Sequence, residues 1–308
     1  MPERVIAVVG PTAGGKSALS VELARAVGGE VVNADSMQLY RGMDIGTAKL
    51  GPAQRRGVPH HLLDVWDVRQ GASVAEYQRL ARSGVDEILA RGKVPVLVGG
   101  SGLYVRAVLD NLSFQVTAPP VRRRLEAELA ELGPKALHER LSRLDWVAAA
   151  AILPTNGRRI VRALEVIEVS GGTFKARMPS YESVYPAVQV GLRLPREQLD
   201  ERIVARVEGM WRAGFVDEVR SLETAGLRTG KTASRALGYA QVLRFLAGEW
   251  SQSRARDETI RATRRFARRQ ESWFRRDPRV IWLDAARPDL LTAVLALAPS
   301  VGVQDATR

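Results

Sequence analysis

Residues 5–17 read VIAVVGPTAGGKS, and the fold is decided there. Val5-Ile6-Ala7-Val8-Val9 is a candidate buried strand that ends at a glycine. The next residues, Gly10-Pro11-Thr12-Ala13-Gly14-Gly15-Lys16-Ser17, satisfy G-x-x-x-x-G-K-[ST], and the amphipathic SALSVELARAV that overlaps their end reads as a helix. The order strand, glycine-rich turn, helix gives the motif its meaning. Glycines let the backbone fold round phosphate oxygens, successive N–H groups and the helix N-terminus supply positive potential, Lys16 adds a point charge, and the Ser17 hydroxyl suits Mg²⁺. Such a loop recognises a phosphorylated anion, and not a nucleoside triphosphate in particular.

Outward from this loop the first hundred residues keep a βαβ rhythm: VIAVVG, a helix, EVVNAD, later YQRLARSGVDEILARG and then VPVLVGG. Between Ala118 and about Tyr185 the pattern turns to Arg/Glu/Leu/Ala-rich helical stretches bounded by Pro119, Pro120, Pro134, Pro154 and Gly171-Gly172. Strand-like VQVGLRL (188–194) then rejoins the sheet. Two helical stretches, the long basic segment DETIRATRRFARRQESWFRR and a last strand VIWLDA (280–285) follow. The expected fold is α/β: a P-loop NTPase-like parallel sheet flanked by helices, with a helical insertion. Residues 1–117 and 188–308 make the expected core with its C-terminal basic helices, and residues 118–187 the insertion.

The chain has 308 residues, 45% of them hydrophobic and 26% charged, enough to bury a sizeable core. No stretch approaches the roughly 18 consecutive apolar residues of a membrane span, and the N-terminus lacks the regions of a signal peptide, so the expectation is a cytoplasmic protein without a membrane partner. The absence of cysteine excludes disulfides, thiolate zinc sites and cysteine nucleophiles. The net charge of +12 is uneven: residues 1–120 hold 13 basic and 11 acidic side chains, residues 121–308 hold 33 and 23. This asymmetry suggests a polyanionic partner, because each phosphate neutralised by Lys or Arg releases counterions. Arginines on solvated helix faces are the plainer reading.

The strand VPVLV ends in Gly99-Gly100-Ser101-Gly102, without the carboxylate that an NTP hydrolase would show there. Asp35 instead follows the strand EVVNA, and in a parallel sheet it stands at the carboxyl edge beside the P-loop. A carboxylate there suits either Mg²⁺ or the proton of a nucleophile attacking a phosphorylated donor. A turn or helix-capping aspartate is the structural alternative.

Taken in order, GPTAGGKS, NADSMQLYRGMDIGTAK (33–49), PHHLLDV (59–65), VLVGGSGLY (96–104), RRIVRALEV (158–166), SRALGYAQ (234–241) and RRQESWFRRD (268–277) resemble the tRNA dimethylallyltransferase (tRNA isopentenyltransferase) family of bacterial type. The resemblance spans essentially the whole chain. It implies a transferase that moves a dimethylallyl group from dimethylallyl diphosphate to N6 of the tRNA adenosine adjacent to the anticodon on its 3′ side, with Mg²⁺ and without an obligatory protein partner. It implies that residues 10–17 hold the diphosphate, that Asp35 is the general base for N6, and that Ser36 and Gln38 hold the target base, with Met37 between them in the same tRNA-binding run. Ser101 takes the place of the family's usual threonine near the leaving group and keeps its hydroxyl. Arg235 resembles the arginine that neutralises the diphosphate. Arg122 resembles a tRNA-contacting arginine of the insertion, and Arg158, Arg159, Ile160, Val161 and Arg162 lie in the matching tRNA-binding stretch.

These residues suit the chemistry. An allylic diphosphate ionises readily, so the protein's main tasks are to stabilise the departing diphosphate, align the partners and remove one proton. Residues 254–279 hold ten arginines with Phe266, Trp273 and Phe274 interleaved, offering phosphate contacts and stacking, although aromatics at this spacing also suit a helix core. His60 and His61 are adjacent and His138 stands apart, so all three are expected to be structural or substrate-contacting. Two rival functions remain at this stage: a P-loop nucleoside or small-molecule kinase, which explains the start of the chain but not its basic second half, and a nucleotide-gated RNA-binding switch, which leaves Ser36-Met37-Gln38 and Ser101 without a task.

Overall fold

The computed structural model describes residues 4–115, 117–174 and 181–298. The chain divides into two compact units, Met1–Asp110 with Ser183–Arg308, and Asn111–Glu182. The second unit therefore starts and ends earlier in the chain than the expected 118–187.

The first unit is built on six parallel strands. Strand β1 (Val5–Val9) leads through the glycine-rich loop into helix α1 (Lys16–Ala26), followed by β2 (Glu30–Asn33) and a short β3 (His60–His61). Helix α2 (Val74–Ala90), β4 (Pro95–Gly99) and α3 (Gly102–Leu109) complete the N-terminal part. The strand order is β3-β2-β4-β1-β5-β6, with β5 at Ala187–Arg193 and β6 at Val280–Asp284. Every residue of β1 and β4 is buried, as the unbroken apolar runs of central parallel strands require. β3 carries no apolar signal. It exists because Val31 and Val32 offer their open edge to His60 and His61.

Register decides what the sheet presents. Val9 lies opposite Gly99, and Asn33 opposite Val98, so β1, β2 and β4 end level with one another. The loops beginning at Gly10, Ala34 and Gly100 consequently leave one edge together, the carboxyl edge at which ligands of open α/β sheets bind. Burial of Ile6, Val8, Val96, Val98, Val190 and Leu192 against α1 holds that edge rigid.

The second unit contains α4 (Pro119–Leu144), α5 (Trp146–Ala150) and α6 (Gly157–Ser170). It has its own core of Leu125, Leu137, Leu141, Ile160, Val161 and Leu164, among others. α4 is broken at Gly133 (φ 78°, ψ 168°), immediately before Pro134. Ile160 and Val161, expected with the arginines in an RNA-binding stretch, fill this core at 0% and 1% exposure. Their side chains are not available to a partner, whereas Arg158 and Arg159 are exposed.

The rest of the first unit comprises α7 (Arg196–Arg212), α8 (Phe215–Thr224), α9 (Tyr239–Leu246), α10 (Gln252–Phe274) and α11 (Leu290–Leu297). α10 is the expected basic helix, but it stops before Arg275, ahead of Pro278. Its inner face is Ala255, Thr259, Thr263, Ala267, Gln270 and Phe274, a spacing of about four that keeps one stripe buried against neighbouring helices, α7 and α9 foremost. Of its aromatics, Phe274 is buried, Phe266 half-buried and Trp273 37% exposed, so the expectation of core aromatics holds fully for Phe274 alone. Among the described residues no helix is long and apolar enough to cross a membrane.

Candidate active site

The three loops at the carboxyl edge surround a cavity of about 250 Å³ lined by Thr12 through Ala18, Asn33, Asp35, Gln38, His60 and Arg206. Lys16 is held across the loop by donating from Nζ to the Pro11 carbonyl, 2.7 Å away. Its ammonium is lowered to about 8 by burial and by the Arg206 guanidinium, against the opposing pull of Asp35. Two cationic side chains, Lys16 and Arg206, thus face one buried cavity, an arrangement that favours an anion. Ser17, at the second position of α1, opens onto the same cavity.

Asp35 owes its position to a local frame. Asn33 Oδ1 accepts from the Asp35 amide at 2.9 Å, while Asn33 Nδ2 donates to the Asp35 and Leu62 carbonyls, each at 3.0 Å. Asp35 Oδ1 accepts from the Met37 amide at 3.0 Å. The carboxylate therefore sits in a turn and faces the cavity as well, so its turn role and its functional role do not exclude each other. Ser101 precedes α3 but makes no side-chain capping bond, and its hydroxyl accepts from the Ser36 amide and donates to the Ser36 hydroxyl, both at 3.4 Å. Asp35, Ser36 and Ser101 are thus brought to one place from two loops. Gln38 donates to the Thr47 carbonyl at 3.1 Å and lines the cavity.

A second cavity, of about 310 Å³, adjoins the first and shares Thr12, Asp35, Thr47 and Arg206 with it. Met37, Met210, Leu237 and Phe266 make its wall more apolar, and Arg235 and Arg269 contribute charge. Arg235, expected beside the diphosphate, lines this second cavity and not the one at the P-loop. Arg206 is the arginine at the P-loop: its Nη1 donates to Thr12 Oγ1 at 3.1 Å. No local motif marks Arg206 within RIVARVEGMW, and only the packing of α7 on the loop identifies it.

Gln270 is the other residue that linear reading passed over. Its Oε1 accepts from the Thr12 amide at 2.8 Å and its Nε2 donates to the Gly100 carbonyl at 3.0 Å, so one buried amide ties the P-loop to the Ser101 loop. The fit explains two glycines. A Cβ on Gly100 would lie 2.1 Å from Gln270 Nε2, and one on Gly102 would lie 2.0 Å from Trp273 Cδ1. Glu218 performs a similar task for residues 44–46: it accepts from the amides of Asp44, Ile45 and Gly46 and from the Tyr239 hydroxyl. Lys49, nearly buried, pairs with Asp44 and Asp64 and braces the same segment.

His60 lines the P-loop cavity with Nδ1 2.9 Å from the Val58 carbonyl and Nε2 buried without a hydrogen-bond partner among the described residues. Burial chiefly, with Arg55 and His61 adding, holds it below the usual imidazole range and hence neutral at pH 7. His61 instead contacts buried Glu30, 2.6 Å away. His138 contacts the Ala149 and Ile152 carbonyls. Among the described residues no group of three or more His, Asp or Glu is arranged to hold a metal. The donor set at the P-loop, one hydroxyl and one carboxylate, suits an ion such as Mg²⁺ that keeps most of its ligands from water and substrate phosphate.

In the second unit Arg122 pairs with Glu126 at 3.2 Å and lies 3.6 Å from buried Glu165. Arg162 donates to Glu165 at 2.7 Å and to the Gln115 carbonyl at 2.6 Å. Both therefore carry structural bonds of their own; Arg158 and Arg159 lie exposed in the first turn of α6.

Comparison with known proteins extends over nearly the whole chain. Residues 38–277 match the family model described as IPP transferase. The chain is 69% identical over 298 residues to the tRNA dimethylallyltransferase of Thermobifida fusca, covering 95% of this chain and 93% of that one. It is 67% identical over 287 residues to that of Streptomyces avermitilis, covering 93% and 92%. Among solved structures, the full-length tRNA isopentenylpyrophosphate transferase of Bacillus halodurans superposes with a TM-score of 0.73 at 41% identity, covering 97% and 96%. A eukaryotic dimethylallyltransferase acting on tRNA shares the fold with a TM-score of 0.79 at 24% identity, covering 96% and 78%.

Proposed function

The chain belongs to the IPP transferase family, and on that premise we propose that it transfers a dimethylallyl group from dimethylallyl diphosphate to N6 of the adenosine adjacent to the anticodon of tRNA. The observation that carries this reading is the placing of one carboxylate, Asp35, where a cationic phosphate cradle meets a more apolar second cavity.

The diphosphate occupies the P-loop cavity, on the P-loop amides, Lys16 and Arg206. Mg²⁺ bound there would be held by the Ser17 hydroxyl and would supply further positive charge to the leaving group. The target adenine enters the second cavity past Ser36, Met37 and Ser101. As the allylic C1–O bond breaks, negative charge grows on the diphosphate, and the preorganised cations at Lys16 and Arg206 stabilise it without reorganisation. N6 of adenine forms the new bond to C1. With Oδ1 of Asp35 held by the Met37 amide, Oδ2 is left to take the N6 proton. The products are N6-(dimethylallyl)adenosine and diphosphate, and the proton lost from N6 balances the charge.

Extruding the adenine from its loop costs a few kcal/mol, offset by phosphate and loop-shape contacts. The test is incubation of the purified protein with Mg²⁺, radiolabelled dimethylallyl diphosphate and unmodified tRNA, followed by nucleoside analysis. Label on adenosine N6 is expected. An unlabelled tRNA pool together with phosphoryl transfer from ATP would replace this reading with the kinase.

A further inference from the structure

Residues 44–47 lie outside any helix or strand, yet Thr47 borders both cavities and Gly46 borders the second. One carboxylate on α8 holds this turn. Glu218 Oε2 accepts from the Asp44 and Ile45 amides at 3.1 and 2.6 Å, and Oε1 accepts from the Gly46 amide at 3.2 Å and the Tyr239 hydroxyl at 2.6 Å. Burial, with the Glu218 charge beside it, keeps the Tyr239 phenol well above its usual range, so it stays a donor. Four donors thus converge on one anion, and a charged acceptor makes the stronger kind of hydrogen bond. Packing completes the clamp: the Phe215 and Tyr239 rings meet edge to face with centroids 5.0 Å apart, and a Cβ on Gly46 would run into both.

Glu218 itself is half-buried and lines neither cavity, so its influence on a substrate has to pass through other residues. The next link is the Thr47 carbonyl, one residue beyond the clamped amides, which accepts from Gln38 Nε2 at 3.1 Å. Thr47 and Asp35 line both cavities, so Gln38 is held where the two meet. With Nε2 committed to Thr47, Oε1 is the acceptor that Gln38 keeps for a ligand.

We propose that Glu218 is a positioning residue for the target base: by fixing residues 44–46 and through them the Thr47 carbonyl, it orients the Gln38 amide so that Oε1 accepts one N–H of the adenine N6 amine while Asp35 faces the other. The inference rests on the transferase reading above and adds to it how the amine is selected. Of the two N6 protons only one leaves in the reaction, and a neutral acceptor suits the one that stays. A purine without the amine leaves the Gln38 acceptor unsatisfied, which disfavours it.

The experiment measures equilibrium binding of two fluorescent anticodon stem-loops to the whole protein, one with adenosine at the target position and one with purine riboside, which lacks only the amine. The parent should bind the adenosine RNA roughly tenfold tighter, the scale of one or two hydrogen bonds. Glu218→Gln sets an amide N–H₂ against backbone donors. In the folded variant, judged by its melting temperature, the preference for adenosine should fall about threefold while affinity for dimethylallyl diphosphate stays near the parent's. Gln38→Ala should lose the same share, and the double variant no more than either single one.

A parent that binds the two RNAs equally, an unchanged preference in folded Glu218→Gln, or losses that add in the double variant would each overturn the proposal, because a merely structural clamp lowers stability without choosing between the RNAs. Should Glu218→Gln fail to fold, Glu218→Asp, which keeps the charge but falls one methylene short of the amides, takes its place in the same cycle. Label transfer by the parent keeps the two questions apart: an adenosine preference without transfer would sink the reaction and not the role of Glu218.

Discussion

Asp35, Lys16 and Arg206 show how single side chains take their roles from their surroundings. Asp35 is fixed by Asn33 and Met37 and has one oxygen to spare, so Asp35→Asn should lower kcat by about 10²–10⁴-fold while leaving RNA affinity nearly unchanged, as single-turnover and binding assays would show. Comparable rates in the variant would exclude it as the base. Lys16, lowered to about 8, supplies its full charge to the diphosphate only below that pH. Since the anion binds the protonated form, donor KM should be flat below pH 8 and rise up to about tenfold per unit above it. In Lys16→Arg the remaining activity should lack this alkaline limb, because guanidinium keeps its proton. Arg206→Ala should raise donor KM more than Arg235→Ala, because Arg206 faces the P-loop cavity and Arg235 only the second one. The reverse order would restore Arg235 to the diphosphate. Lys16, Ser17 and Asp35 were legible in the sequence because a phosphate loop and a residue just past a strand are local patterns. Arg206 was not, since its meaning comes from Thr12, 194 residues away.

At the scale of elements, α10 is the member that turns separate loops into one site. Its periodicity was readable as a basic amphipathic helix, and its inner stripe follows from that period. What the period did not reveal is that the polar Gln270 belongs to the buried stripe, where it is 5% exposed and joins Thr12 to Gly100. Gln270→Leu would leave the part-buried Thr12 N–H and the buried Gly100 carbonyl unpaired, the latter at about 1–3 kcal/mol. The melting temperature should fall, and donor affinity should fall further than stability alone explains, because the P-loop loses its tie to the Ser101 loop. Calorimetry of diphosphate binding checks this, and an unchanged affinity in folded Gln270→Leu would show the tie to be structural only. β3 was likewise invisible to propensity, since His60-His61 becomes a strand only by completing the edge of β2.

For the molecule as a whole, the division into two units sets the last prediction. The chain leaves the first unit at Asp110 and returns at Ser183, and these two residues form an antiparallel bridge, reinforced by the Val184 amide donating to the Leu109 carbonyl at 2.7 Å. Buried Asp110 is anchored within the same unit by Arg106 and Arg279. Replacing residues 111–182 with a short turn should therefore leave a folded first unit that binds diphosphate with nearly the parent affinity. It should lose most transfer to full tRNA, since Arg158 and Arg159 go with the excised part. Retained transfer at the parent KM for tRNA would show those arginines to be dispensable. By itself the sequence determined the α/β class, the phosphate loop, the edge on which Asp35 stands and the family resemblance, because each rests on residues near one another along the chain. Only the tertiary structure assigned Arg206 to the P-loop, Gln270 to the joint between two loops, and Ile160 and Val161 to a core. Those assignments depend on which distant side chains neutralise, satisfy or bury one another, and helical or strand spacing carries no record of that.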